Sequence, residues 1–345
     1  MTMTRRAPVF VLAVVLPIVA GVTLLAQAQT QTWPREPENP AAAKPAPPSA
    51  DMAAVIGEYE HTPLQRPAVH LYVLEQGGML WTIADRGEAK PLTVTGKDAS
   101  VLRDSGGRVS GLVIAGVSYK RLQVGPGAGG QLHVTPIRNV AEVLTESMTV
   151  APPKETGDFS PADLVELTRL DATIKLDIRY ATTNNFLGSV FYTEARAFLQ
   201  RPAAEAVVRA QRALKPLGYG LLVHDGYRPW YVTRTFWETT PPDKRWLVAN
   251  PVSGSRHNRG AAVDLTLYDL KTGRVIEMPS TYDESTPRAY AFYPGGTSLQ
   301  RWHRALLRRL MEAEGFTVNP EEWWHFDYKD WRSYAIGNIP FEKIR

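Results

Sequence analysis

The chain has 345 residues, 44% hydrophobic and 10% aromatic, which suffices for one large folded unit or two ordinary ones. A formal charge of +4, with no run of basic residues interleaved with aromatics, excludes a typical nucleic-acid binder. There is no cysteine, so disulfides are excluded and any transition-metal site must draw on carboxylates and the seven histidines.

Arg5 and Arg6 precede an apolar run from Ala7 to Leu25, and Ala26-Gln27-Ala28 follows as a small-x-small triplet. This order predicts a secretory signal peptide over 1–28 and hence an exported protein, periplasmic or secreted. The run approaches the ~20 residues of a membrane span, so an uncleaved anchor is the competing reading. The arginine pair alone gives weak support to twin-arginine export. Cleavage would remove both arginines and leave the mature chain at about +2. No other segment is apolar enough to cross a bilayer. Residues 29–50, rich in proline and alanine (Lys44-Pro45-Ala46-Pro47-Pro48), read as an extended linker.

Residues 51–150 read as a small antiparallel β domain. Short alternating runs (His70–Leu74, Met79–Ile83, Val109–Ile114, Tyr119–Leu122) are separated by glycine and aspartate turns, the pattern of an all-β, barrel-like unit. Gly57-Glu58-Tyr59 followed by such a meander resembles the small β-barrel modules appended to exported proteins of the serine-hydrolase type. His61, His70 and His133 are expected to stand without carboxylate partners and read as surface or packing residues. Gly125–Gly130 lacks the Gly-Lys-Ser/Thr ending of a phosphate loop.

Residues 159–345 read as an α+β domain with a small antiparallel sheet and flanking helices. Ala203, Val207, Val208, Ala210 and Leu214 recur at helical spacing before the stop at Leu217-Gly218. Leu221-Leu222-Val223 reads as a short buried strand. A second helix runs from Leu299 to Ala313, with Trp302, Leu306, Leu307 and Leu310 inward, its arginines largely opposite, and His303 expected at the surface.

The segment Ala262–Leu267 alternates, with Val263, Leu265 and Leu267 toward a core and Asp264 pointing away from it. Gly260 permits a tight turn that returns His257 over the start of this strand. A neutral imidazole beside a carboxylate makes two-thirds of a catalytic zinc site. His325, in Glu322-Trp323-Trp324-His325, supplies the third ligand and leaves a fourth tetrahedral position for water. Glu322, beside an aromatic wall, is placed to act on that water as general base. The predicted cofactor is therefore one Zn²⁺ per chain.

Ser255-x-His257-x-x-Gly260-x-Ala262-x-Asp264, followed by Glu322-x-Trp324-His325, resembles the zinc D-Ala-D-Ala metallopeptidase superfamily. Asp177–Gly188, Asp225-Gly226-Tyr227-Arg228-Pro229 and Met278–Asp283 resemble its D-alanyl-D-alanine dipeptidase branch, over about residues 167–334. The resemblance implies that His257, Asp264 and His325 bind zinc, that Glu322 is the base and that Arg228 stabilises the tetrahedral oxyanion. Arg228 also follows a buried strand and is aimed by a proline-stiffened turn, although a salt bridge to Asp225 is its plainer use. Ser255 and Asp283 would touch the substrate termini, with a turn cap as the alternative for Ser255. Tyr180 and Asn184 would line the pocket, with aromatic packing as the rival for Tyr180.

The implied reaction is hydrolysis of D-Ala-D-Ala outside the cytoplasm, in cell-wall turnover or dipeptide salvage. The implied partners are a small D,D-dipeptide and peptidoglycan, with no nucleic acid and no membrane beyond the export signal. A DD- or LD-carboxypeptidase trimming stem peptides, and a zinc-containing wall-binding protein without turnover, are the alternatives.

Overall fold

The computed structural model describes residues 43–63, 67–84, 87–94, 99–123 and 132–344. The segment 1–28 read as a signal peptide, the part of the expected linker up to residue 42 and the segment 125–130 lie outside the described residues. Among the described residues no helix is long and apolar enough to cross a membrane.

A short helix, α1 (Ala50–Val55), capped by the Ser49 hydroxyl, leads into seven strands. These are β1 (Gly57–His61), β2 (Val69–Gln76), β3 (Met79–Ala84), β4 (Lys90–Leu92), β5 (Ala99–Arg103), β6 (Val109–Ile114) and β7 (Val117–Arg121). They form one antiparallel sheet in the order β4-β3-β2-β1-β7-β6-β5. Leu92 and Ala99, on the two edge strands, share a core with Tyr59, Leu71, Val73, Leu80 and Leu112, so the sheet curls toward a barrel-like form. Antiparallel pairing also corrects the reading of His70: it stands across from β1 and its Nε2 pairs with Glu58 Oε2 at 2.9 Å. The sheet ends at Arg121, and Val134 and helix α2 (Val140–Met148) pack into the core of the larger unit, which draws in residues from within 51–150.

The larger unit contains β8 (Leu164–Glu166), α3 (Leu167–Leu170), β9 (Lys175–Leu176), β10 (Phe198–Gln200), α4 (Arg201–Leu214), β11 (Tyr219–Asp225), α5 (Trp230–Thr239), β12 (Ala262–Asp269), α6 (Ser298–Ala313), β13 (Phe316–Asn319) and β14 (Glu322–Tyr328). Its main sheet runs β13-β14-β12-β11-β9. The expected antiparallel pairing holds for the first four strands, whereas β9 joins β11 in parallel at the edge. Helix α4 starts with Pro202 in its first turn and finishes through a 3-10 turn at Gly218, whose φ of 84° a side chain would resist. A reciprocal Thr297/Gln300 capping box opens α6. Both helices pack on the sheet, where Val263, Leu265 and Leu267 are fully buried. Each such side chain contributes roughly 1.5–3 kcal/mol. The opposite face of β12 is buried as well, because the segment after residue 277 folds over Asp264.

Helix α6 departs from its expected polarity. Arg301, Arg304 and His303 are buried. The β2 strand and the segment before α6 cover this face: Arg301 Nη2 donates to the Glu75 carbonyl at 2.8 Å, and Arg304 Nη2 donates to the Tyr293 carbonyl at 2.9 Å. His303 Nε2 lies 2.9 Å from the Tyr219 hydroxyl. Burial, aided by Lys44, pushes the His303 imidazole down to about 4. The unfolded chain therefore takes up a proton near pH 6.5 that the folded chain refuses until about pH 4. The stability held above pH 6.5 should fall across that window by on the order of 3 kcal/mol. A His303→Gln variant should lose that part of the acid slope in a Tm-versus-pH series; an unchanged slope would assign it to other groups.

Candidate metal and active site

Three adjacent strands place the chemistry in one row. Asp264 on β12 stands opposite His325 on β14 and, on its other side, opposite Asp225 on β11. His257 reaches the same spot from a 3-10 turn (His257–Arg259) that closes at Gly260. Gly260 has φ 65°, and an added Cβ would lie 2.6 Å from Leu164 Cδ2, so only glycine fits this return.

One atom from each of His257, Asp264 and His325 lies within 4.8 Å of the other two, and all three residues are buried. His257 Nδ1 is 2.8 Å from the Gly226 carbonyl, and His325 Nε2 is 3.0 Å from Asp327 Oδ1. Each outer nitrogen faces an acceptor, an arrangement that favours the tautomer with its proton on that nitrogen and turns a lone pair inward when the ring is neutral. The inner nitrogens, His257 Nε2 and His325 Nδ1, are 3.1 Å apart, and Asp264 Oδ1 lies 3.4 Å and 2.9 Å from them. Two lone pairs and a carboxylate oxygen facing one another call for positive charge between them. The donor set suits zinc.

Electrostatics agree with that demand. Burial opposes ionisation of Asp264, but the facing His257 and His325 outweigh it and hold the carboxyl well below the usual range. Burial works against charging His325, yet hydrogen bonds to Asp264 and Asp327 raise its imidazole to about 10. The Tyr282 hydroxyl donates to Asp264 Oδ2 at 3.1 Å, leaving Oδ1 for the centre. Glu322 Oε2 is 3.7 Å from His325 Nδ1 and accepts from Asn319 Nδ2 at 3.0 Å. Its side chain is 42% accessible through the pocket; what desolvation its carboxyl undergoes there raises it above the ordinary value, with Asp264 adding to the effect and the His325 and His257 imidazoles opposing it.

Arg228 is buried beside this centre. Its Nε and Nη2 donate to Asp225 Oδ2 at 2.9 and 2.7 Å, and its guanidinium lies 5.1 Å from the Tyr180 and Phe236 ring centres. Burial disfavours its charge, but Asp225 outweighs this and locks the cation. The salt bridge and the pocket position are thus both realised. Asp225 Oδ1 also accepts from the Tyr192 hydroxyl at 2.9 Å.

His257, Asp264, His325, Glu322 and Arg228 line a cavity of about 560 Å³ together with Ser255, Tyr180 and Asp283. Burial, with Asp264 and Glu322 nearby, raises the Asp283 carboxyl to about 8. Ser255 Oγ accepts from the His257 amide at 3.2 Å, so it caps the ligand's turn while facing the pocket. Tyr180 packs edge-on against Phe186, Phe191 and Tyr192, and its hydroxyl is 3.4 Å from Asp283 Oδ2. Asn184 is exposed and outside the cavity lining. Its neighbour Asn185 is the inward residue, donating to the carbonyls of Arg179, Thr182 and Ser189 and so shaping the loop.

Sequence reasoning missed Asp327 and Tyr282, which orient the ligands, and Trp246 and Trp331 on the cavity wall. Asp327 was within reach, since a residue two places after His325 shares its strand face. Asp327→Asn should weaken metal binding by roughly 10–100-fold while the fold persists, measured by competition with a chromophoric chelator. Unchanged affinity would mean that the contact does not tune the ligand.

Residues 160–337 match the model of the Peptidase M15 family, described as D-ala-D-ala dipeptidase. The D-alanyl-D-alanine dipeptidase of Escherichia coli is 32% identical over 174 residues, covering 50% of this chain and 89% of that protein. The D-alanyl-D-alanine dipeptidase of Streptomyces coelicolor is 34% identical over 193 residues, 51% of this chain and 93% of that protein. That of Enterococcus faecalis is 34% identical over 175 residues, 46% and 87% respectively. The matched family region leaves the N-terminal sheet outside it.

Proposed function

Because the chain belongs to the D-ala-D-ala dipeptidase family of metallopeptidases, we propose that it is a zinc-dependent hydrolase of D-alanyl-D-alanine, releasing D-alanine. The observation that carries this reading is the convergence of His257 Nε2, Asp264 Oδ1 and His325 Nδ1 in a cavity that also holds Glu322 and Arg228. Those three atoms would hold the ion. Zinc so held supplies Lewis acidity toward the scissile carbonyl and acidifies water near pH ~7.

The chain's own groups do the rest. Glu322, with its raised carboxyl, takes the proton of the attacking water and returns it to the leaving amine. Asp225 engages Nε and Nη2 of Arg228, which leaves Nη1 to meet the oxyanion that develops in the transition state. Asp283 receives the substrate ammonium, whose arrival favours the ionised carboxylate that burial otherwise disfavours. Ser255 lies toward the other end of the dipeptide. Tyr180 contributes a wall and steadies Asp283.

The site of action we propose is outside the cytoplasm, on peptides of cell-wall origin, with peptidoglycan as the wider partner. The support is the signal-like pattern of residues 1–28. The cavity's size and the exposed Trp246 on its wall favour a second reading, trimming of longer stem peptides by DD- or LD-carboxypeptidase action. Metal analysis together with a panel of D,D-, L,D- and L,L-dipeptides and a stem pentapeptide tests both. Cleavage of free D-Ala-D-Ala supports the first, and cleavage of the pentapeptide alone replaces it with the second. A metal-loaded protein that cuts none of them would be a binding protein.

A further inference from the structure

The cavity wall bearing Asp283 belongs to a long excursion between β12 and α6, and its far side meets the N-terminal sheet. Tyr290 lines the cavity, whereas Tyr293 turns outward and donates its hydroxyl to Glu58 Oε1 at 2.8 Å. Both partners are buried, Tyr293 at 1% and Glu58 at 2% exposure. The Tyr293 ring meets Tyr72 edge-on at 5.8 Å, and Leu74 and Ile83 complete an apolar patch around it. Glu75, equally buried, accepts from the amide and hydroxyl of Ser298 at 2.9 and 2.7 Å, and its own amide donates to the Gly296 carbonyl at 3.2 Å. A buried carboxylate is costly unless its oxygens are hydrogen-bonded. Here two carboxylates of the sheet are satisfied in part by the excursion and the first residue of α6.

From Tyr293 the contacts continue inward. The Arg288 guanidinium lies 5.9 Å from the Tyr293 ring centre and pairs with Glu284 Oε1 at 3.1 Å. Glu284 Oε2 accepts from the amide and hydroxyl of Thr281 at 3.2 and 3.3 Å. Asp283, between them, sits at φ 58°, a left-handed conformation that persists where the surroundings hold it.

We infer that Glu58 and Tyr293 are positioning residues: the N-terminal sheet buttresses the wall 281–293 and thereby sets Asp283 for substrate. The inference deepens the dipeptidase reading and rests on it for the identity of the substrate. It also assigns work to a unit that lies outside the region matched to the family.

Tyr293→Phe and Glu58→Gln in the full chain test it, with hydrogen exchange read over 281–293 and over β12, and with kcat and KM for D-Ala-D-Ala. Tyr293→Phe should speed exchange across 281–293 by on the order of tenfold and leave β12 at its wild-type rate. KM should rise on the order of tenfold while kcat stays within about twofold. Glu58→Gln keeps a carbonyl acceptor and should fall between the wild type and Tyr293→Phe. Wild-type exchange and KM in Tyr293→Phe would overturn the buttress, and so would faster exchange spread equally into β12. A wild type that cleaves no dipeptide would sink the substrate assignment, while the exchange data still decide the buttress.

Discussion

Glu322→Gln should lower kcat by roughly a hundred- to ten-thousandfold, the usual worth of a placed general base, while the protein keeps its metal. The substitution retains the side chain's size and an oxygen for Asn319 Nδ2, so the local structure should persist. What disappears is the basicity that enclosure had raised. A base with an elevated carboxyl also sets the acid limb of kcat/KM above the pH where an ordinary glutamate titrates, and Glu322→Gln should abolish that limb in any residual activity. The decisive pair of measurements is metal content and single-turnover rate on the same preparation. Loss of metal with the rate would recast Glu322 as part of the ion's environment. A near-normal rate would remove it from the chemistry.

Asp225→Ala should cost about 3–5 kcal/mol of folding stability, because it leaves a buried guanidinium without its counter-charge. Arg228 is 8% exposed and Asp225 1%, so little water reaches the pair to replace the lost partner. The Tyr192 hydroxyl and the Gly226 amide lose their acceptor in the same step. Asp225→Asn should be milder, since one carbonyl oxygen remains, and Tyr192→Phe milder still, at about 1 kcal/mol. Denaturant midpoints across the three variants provide the ranking. An Asp225→Ala protein within about 1 kcal/mol of wild type would mean that the arginine relaxes to solvent when unpaired.

Much of the cluster is legible in the sequence. His257, Asp264 and His325 declare themselves by residue type, by the glycine that folds one back over another, and by the absence of thiols. Helix α6 follows its apolar spacing and stop signal to within a residue of the expected limits, whereas α4 gives way at Leu214 to a 3-10 turn that carries the chain to the expected stop at Leu217-Gly218. What stayed hidden depends on partners distant in sequence. The burial of Arg301 follows from a β2 strand about 220 residues upstream, and His303 is held against Tyr219 of β11, neither of which helical periodicity can report. The parallel addition of β9 has a two-residue signature too short for pattern reading. Asn184 and Asn185 differ only in which one the loop turns inward, a matter of backbone geometry rather than composition.

The His257 ring is anchored on the Gly226 carbonyl, and the Arg228 amide is anchored on the His257 carbonyl. Two crossed bonds between the same short stretches of backbone make a clasp, so the proposed metal ligand and the arginine proposed to meet the oxyanion share one mounting. A change at Gly226, where an added Cβ would lie 2.8 Å from the Phe198 carbonyl, should therefore disturb both together. Attempts to retune this catalyst by moving its arginine should carry a concealed penalty in metal retention, and engineers would do better to work on the opposite rim.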